Sequence, residues 1–250
     1  MQLAAAVTGA VAGLLAGSYL TVLITRVPDA ENVLRPPGRC PRCGAVLRAA
    51  DMIPLAGWLR LGGRCRACAA QIGALYPAVE LITGALFAVM GWRFGFSPVL
   101  PAVWYLVAVS VALTVIDLRL HRLPDRLTLP SYPVGAVLLG VAGLAVPGVS
   151  RHLLGALAGM AITWVFYYLL LLIYPVGFGG GDVKLSGVIG LYLGWFGTQA
   201  LLLGAMGAFV LAGLTGAVLM VTRKATRKTL IPFGPFMVAA ALAVIAATGP

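Results

Sequence analysis

The sequence predicts an all-α polytopic membrane protein with a small zinc-binding cytoplasmic domain between its first and second helices. Three observations carry this. Hydrophobic residues fill 61% of the 250 positions and charged ones only 10%, and the mean hydropathy is +1.00, outside the soluble globular range. About eight apolar stretches read as bilayer crossings. All four cysteines fall in a single polar interruption of that pattern.

In chain order the apolar stretches are 3–25, 74–92, 98–116, 129–147, 152–174, 183–196, 198–221 and 230–248. They define a first transmembrane helix at 1–25, a cytoplasmic four-cysteine zinc domain at 26–75 and a transmembrane helix bundle at 76–250. The stretch at 183–196 is the shortest, as expected of a helix entered through an irregular glycine loop, Gly179-Gly180-Gly181. Residues 26–75 hold eight arginines and the turn-rich Arg35-Pro36-Pro37-Gly38 and Gly62-Gly63. So short a segment needs a staple to fold. No internal repeat is evident, which weighs against inverted-repeat transporters.

A net charge of +11 would suggest nucleic acid in a soluble domain, but its distribution reads as topology. With the N-terminus outside, Arg26, Arg35, Arg39, Arg42, Arg48, Arg60, Arg64 and Arg66 fall on the cytoplasmic side. So do Arg119, Arg122, Arg126, Lys184, Arg223, Lys224, Arg227 and Lys228, leaving only Arg93 and Arg151 outside. That obeys the positive-inside rule, with attraction to the lipid bilayer's anionic headgroups besides, and no nucleic-acid partner is expected. In the first segment the basic residues follow the apolar run, the reverse of a signal peptide. It is expected to remain as an anchor.

Cys40-Pro-Arg-Cys43 and Cys65-Arg-Ala-Cys68 form two CxxC pairs with 21 residues between them. Two such knuckles complete a tetrahedral zinc site of four thiolates, closed to substrate and therefore structural. Disulfide-bonded or redox-active pairs are the alternative, favoured only if the topology were reversed.

Asp117 closes an apolar run and Asp182 follows three glycines, in a chain with seven acidic residues in all. The expected topology puts both at similar depth on the cytoplasmic side. A carboxylate at the edge of hydrocarbon is costly unless it is paired, wetted or working. Two adjacent carboxyl groups can share a proton, one activating water while the other polarises a scissile carbonyl. Equally, Asp182 could cap a helix while Asp117 pairs with Arg119 or Arg122. If they form a pair, Asp117 at a helix C-terminus is expected to hold the proton, and Asp182 at an N-terminus the charge.

Asp125 reads as the N-cap of the following helix. Glu80 sits about a turn inside the second helix, where a functional role or an Arg or Lys184 partner is expected. His121 and His152 lack ligand spacing and read as loop residues, and Ser18 has no matching base.

Several blocks together resemble the prepilin peptidases, the type IV prepilin leader peptidases of the GxGD intramembrane aspartyl proteases. They are Gly17-Ser18-Tyr19-Leu20 with Arg26-Val27-Pro28, the cysteine pairs flanking Asp51-Met-Ile-Pro54, and Tyr76-Pro77-Ala-Val-Glu80. The run from Ile116-Asp117 to Pro124-Asp125-Arg-Leu-Thr-Leu-Pro130, then Gly179-Gly180-Gly181-Asp182-Val-Lys184 and Phe233-Gly234-Pro235-Phe236, complete the set. The resemblance implies an inner-membrane enzyme that removes the basic leader of type IV prepilins and type II secretion pseudopilins at the cytoplasmic face, with Asp117 and Asp182 as its catalytic aspartates. It also implies methylation of the new N-terminus from S-adenosylmethionine, with Glu80 a candidate for that site. Thr21 and Tyr19 depart from the Asn and Phe of many members, which touches methylation rather than cleavage. From another class, an ion- or proton-coupled transporter would use Asp117, Asp182 and Glu80 as a relay, and an adaptor would dock through the zinc module.

Overall fold

A computed structural model describes residues 1–29, 38, 40, 42–145, 148–175, 177–224, 226 and 229–248. Arg35, Arg39, Arg227, Lys228 and the Arg35-Pro36-Pro37 turn lie outside the described residues. Among the described residues the helices are α1 (Gln2–Arg26), α2 (Ala56–Arg60), α3 (Leu75–Phe94), α4 (Leu100–Leu120), α5 (Asp125–Gly143), α6 (Val149–Ile173), α7 (Gly180–Phe196), α8 (Thr198–Val221) and α9 (Gly234–Thr248).

Each expected apolar stretch overlaps one helix, and the short α2 is additional. Five helices, α1, α3, α4, α6 and α8, are long and apolar enough to cross a membrane. The 17 residues of α7 and 15 of α9 fall short of the roughly 20 that a straight crossing needs. The 19-residue α5 is less apolar because it opens on Asp125 and Arg126 and carries Pro130 and Pro133. It starts four residues before the expected stretch, because Pro124 is extended and hands a fixed backbone to the first turn.

The chain divides into two compact units, Met1–Phe96 and Ser97–Pro250. In the first, α1 and α3 pair antiparallel: Gly91 lies against Ala5, and Gly17 against Glu80. Small residues let the two backbones meet, the usual solution where lipid supplies no hydrophobic drive between helices.

In the second unit α7 is the central element, packed by α5, α6, α8 and α9. From Asp182 to Trp195 every residue of α7 is buried except Lys184. Its contact with α6 is made through Gly155, Gly159, Gly190 and Gly194, and a Cβ on Gly159 would stand 2.8 Å from the Gly194 Cα. Beside this crossing Thr163 Oγ1 reaches the Ser186 carbonyl at 2.9 Å, and Ser186 Oγ reaches the Thr163 carbonyl at 3.3 Å. The outer faces of α6 and α8 expose Leu154, Leu157, Ile162, Leu202, Met206 and Val210. Apolar surface of that extent is covered by lipid in a multi-pass membrane protein.

Gly159→Val should destabilise the α6–α7 crossing by about 1–3 kcal/mol through overpacking. Thermal unfolding in detergent should show a lower midpoint than wild type, whereas Gly213→Ala on α8, where a Cβ meets nothing within 4 Å, should show none of that loss.

Candidate active site

Asp117 occupies the last turn of α4 and is 5% exposed. The helix stops there because His121 turns left-handed (φ 51°) and returns its N–H to the Asp117 carbonyl at 2.8 Å. Asp182 is the third residue of α7, and its Oδ2 accepts the Gly179 N–H at 2.9 Å. An acidic side chain reaching back to the amide before its helix satisfies a donor the helix cannot. Leu123 lies against both neighbourhoods: a Cβ on Gly181, next to Asp182 in the chain, would meet it, and one on Gly234, against Asp117 Oδ2, would come within 3.6 Å of it.

Asp117 Oδ2 is buried with no hydrogen-bond partner among the described residues. Gly234, the first residue of α9, stands beside it, and a Cβ there would come within 2.7 Å of Oδ2. Only glycine leaves room for that oxygen. A Cβ on Gly181 would meet Leu123 at 2.9 Å, while one on Gly180 would meet nothing within 4 Å. The first turn of α7 is therefore packed at Gly181 and open at Gly180. Tyr167, Phe178, Phe209 and Phe233 cluster, Phe178–Phe233 edge-on and Phe209–Phe233 tilted with centroids 5.2 and 5.1 Å apart, and Phe178 and Phe233 directly precede Gly179 and Gly234 in the chain. These rings form an apolar wall next to the pair.

The four cysteines of the first unit converge. Their sulfurs lie within 4.8 Å of one another, with Cys40–Cys68 at 3.8 Å and Cys43–Cys65 at 4.0 Å. A tetrahedron with metal–sulfur bonds of about 2.3 Å has edges of about 3.8 Å, so the cluster fits a metal ion. The thiols are unpaired as disulfides. Amides of Cys43 and Arg42 hold the Cys40 thiol down at about 6.

The two knuckles share one backbone plan. Cys40 N–H bonds the Ala45 carbonyl and Cys65 N–H the Ala70 carbonyl, while Gly44 and Ala69 return their amides to Cys40 and Cys65. Leu47 to Gly38 matches Ile72 to Gly63. This is a local repeat of 25 positions, against the expectation of none, and its signal is in the sequence: Gly38-Arg-Cys40 and Gly63-Arg-Cys65. Asp51 ties the second knuckle down. Its side chain, 1% exposed, accepts Arg66 Nη2 at 2.6 Å and Arg60 Nη2 at 2.8 Å, with the Arg48 N–H at 3.3 Å.

Two family descriptions match the chain: the bacterial peptidase A24 N-terminal domain over residues 11–94, and the type IV leader peptidase family over 104–221. A relative from Stutzerimonas stutzeri is 35% identical over 251 residues, covering 91% of this chain and 85% of its own. One from Aeromonas salmonicida is 36% identical over 256 residues (90% and 84%), and one from Pseudomonas aeruginosa 34% over 249 (90% and 84%). Each is named a prepilin leader peptidase/N-methyltransferase. The chain belongs to the type IV leader peptidase family. No solved structure matches it. The first match contains the four cysteines and the second contains both Asp117 and Asp182.

Three sequence expectations for this leader peptidase are corrected. Asp125 does not cap α5: Pro124 is the cap residue, without a side-chain bond, and the Asp125 Oδ1 takes Lys184 Nζ at 2.7 Å instead. Glu80 is held within its own unit by a backbone amide and not a basic side chain: its Oε2 accepts the Leu55 N–H at 2.8 Å, holding a residue forced to φ 58° at the start of α2. His152 lies in the first turn of α6, with Nδ1 2.9 Å from the Trp195 carbonyl. Sequence reasoning assigned no role to Gly234 or Tyr132. A glycine opening a helix was the available signal for the first, and Tyr132 left none.

The Arg66 guanidinium, then Arg60 and the Arg48 amide, hold the Asp51 carboxyl down at about 2. A depressed value means the clamp is complete above the unfolded carboxyl's value of about 4 and is lost as the pH falls toward about 2. At neutral pH, Asp51→Asn should therefore make the cysteine segment cut faster in limited proteolysis than wild type. Acidifying wild type only as far as about pH 4 should leave the clamp's contribution intact.

Proposed function

We propose that this protein is a membrane-embedded aspartyl endopeptidase that removes the leader of type IV prepilins and pseudopilins and methylates the new N-terminus. The observation that carries the peptidase reading is the pair of buried carboxylates, one with an oxygen given room by Gly234. The matched family and the relatives' name both describe a peptidase, and nothing supports the transporter alternative. The proposed placement has the N-terminus outside and the cysteine domain, residues 26–75, in the cytoplasm between the helix at 1–25 and the bundle at 76–250, which brings the leader to the cytoplasmic face.

In this reading Asp182 carries the shared negative charge, because the Gly179 N–H and the start of α7 both favour it. Asp117, at the end of α4 and with no donor at Oδ2, carries the proton. Asp182 takes a proton from water as the water oxygen bonds to the scissile carbonyl carbon. Asp117 passes its proton to the carbonyl oxygen, giving a gem-diol. The C–N bond then breaks as Asp182 returns its proton to the leaving nitrogen and a diol hydroxyl returns one to Asp117. The products are a carboxylic acid and a free amine, and the pair is restored. An extended substrate backbone approaches on the open side of Gly180, and the aromatic wall keeps the local dielectric low so that the shared charge acts at close quarters.

Cys40, Cys43, Cys65 and Cys68 hold zinc in a structural role, since four thiolates leave no open coordination position. Methyl transfer draws on S-adenosylmethionine as the donor. Glu80, whose Oε2 accepts the Leu55 N–H, is the candidate acid for that site.

Asp117→Asn and Asp182→Asn should each reduce leader removal by on the order of 10³-fold or more, read on a co-expressed prepilin and in detergent without a gradient. Processing by either variant at the wild-type rate would remove the dyad. Metal analysis of the purified chain should find one zinc per chain, lost in Cys65→Ser; a zinc-free wild type would exclude the four-cysteine site.

A further inference from the structure

Lys184 is the one residue between Asp182 and Trp195 that is not buried, and it stands near the start of α7. A cation there opposes the helix dipole, so its position calls for a local reason. Its Nζ lies 2.7 Å from Asp125 Oδ1, with the two side chains 38% and 55% exposed. Its own carbonyl accepts the Tyr132 hydroxyl at 2.6 Å. Asp125 and Tyr132 both belong to α5, so one helix holds this residue by its side chain and its backbone together. Tyr132 also packs on Gly187, one turn further along α7, and Leu123 packs on Gly181. Leu123 and Asp125 lie six and eight residues beyond Asp117 on the segment leaving α4. The segment that follows one aspartate therefore grips the turn that carries the other.

Building on the dyad reading, we propose that Asp125, Lys184 and Tyr132 form a clasp of positioning residues that sets Asp182 in register with Asp117. A half-exposed ion pair adds little to stability. Its effect is geometric: the shared proton and the attacking water need both carboxyl groups placed to a fraction of an ångström, and small misplacements are costly in rate. The clasp touches neither water nor scissile bond.

The test uses the full chain in detergent with a purified prepilin, measuring kcat and KM per folded molecule. Lys184→Met and Asp125→Asn should each lower kcat about tenfold with KM within about twofold. The double variant should fall no further than the worse single, since both remove one interaction, and Lys184→Arg should recover most of the rate. Wild-type kcat in either single variant overturns the clasp, as do losses that multiply in the double, or a rate deficit that disappears once the folded fraction is counted. Asp117→Asn, assayed alongside, separates the two readings. If it still cleaves, the aspartyl mechanism falls and the clasp with it; if it is inactive while the clasp variants keep full rate, only the clasp falls.

Discussion

Burying two carboxyl groups, Asp117 and Asp182, inside an apolar bundle is the constraint around which the second unit is organised. Buried acids need donors or a task. The surroundings meet this in different ways. Asp182 has an amide donor and the start of a helix. Asp117 sits at the end of one, beside a glycine that makes room for its buried Oδ2. The proposed site would need α7 to begin at a defined place, and α7 is the most enclosed helix of its unit. Close glycine crossings with α6, and the grip of α5 and Leu123, fix both its depth and its start.

The first unit meets a different problem by a related route. A segment of some 50 residues rich in arginine has little apolar surface to bury. It folds as two copies of one knuckle whose four sulfurs meet. Asp51 gathers Arg48, Arg60 and Arg66 onto one nearly unexposed carboxylate, which turns part of the local positive charge into a tie. Glu80 is satisfied by a strained backbone amide. In both cases an acid that looks expendable from composition carries local order.

Features legible in the sequence were those with a local, periodic or spaced signature. The apolar stretches marked the helices and the CxxC spacing marked the knuckles, whereas the expected irregular glycine loop is a regular first turn of α7 from Gly180. What escaped depends on contacts between distant residues. Asp125 had the local credentials of a cap, but Pro124 took the cap position and left its carboxylate free to reach Lys184, 59 residues away. Tyr132 on the Lys184 carbonyl has no local signal at all. The knuckle repeat was readable and was obscured by unequal filling between matching Gly-Arg-Cys steps. At 17 residues α7 is too short to read as a full crossing although it is the most buried helix of its unit.

Accounting for the acidic side chains leads to the same place from the opposite direction. Of seven, Glu31 lies outside the described residues and Asp29 is exposed to solvent. Asp51 is held by arginines, Glu80 by the Leu55 amide, Asp125 by Lys184 and Asp182 by the Gly179 amide. Asp117 alone has a buried oxygen with no protein donor among the described residues. Buried polar atoms are satisfied as a rule, and an unmade hydrogen bond costs about 1–3 kcal/mol. A fold that satisfies the other buried acids could have filled this position with a side chain on α9. It has glycine there instead. That buried oxygen, packed against Gly234, is the feature on which the proposed aspartyl chemistry would draw.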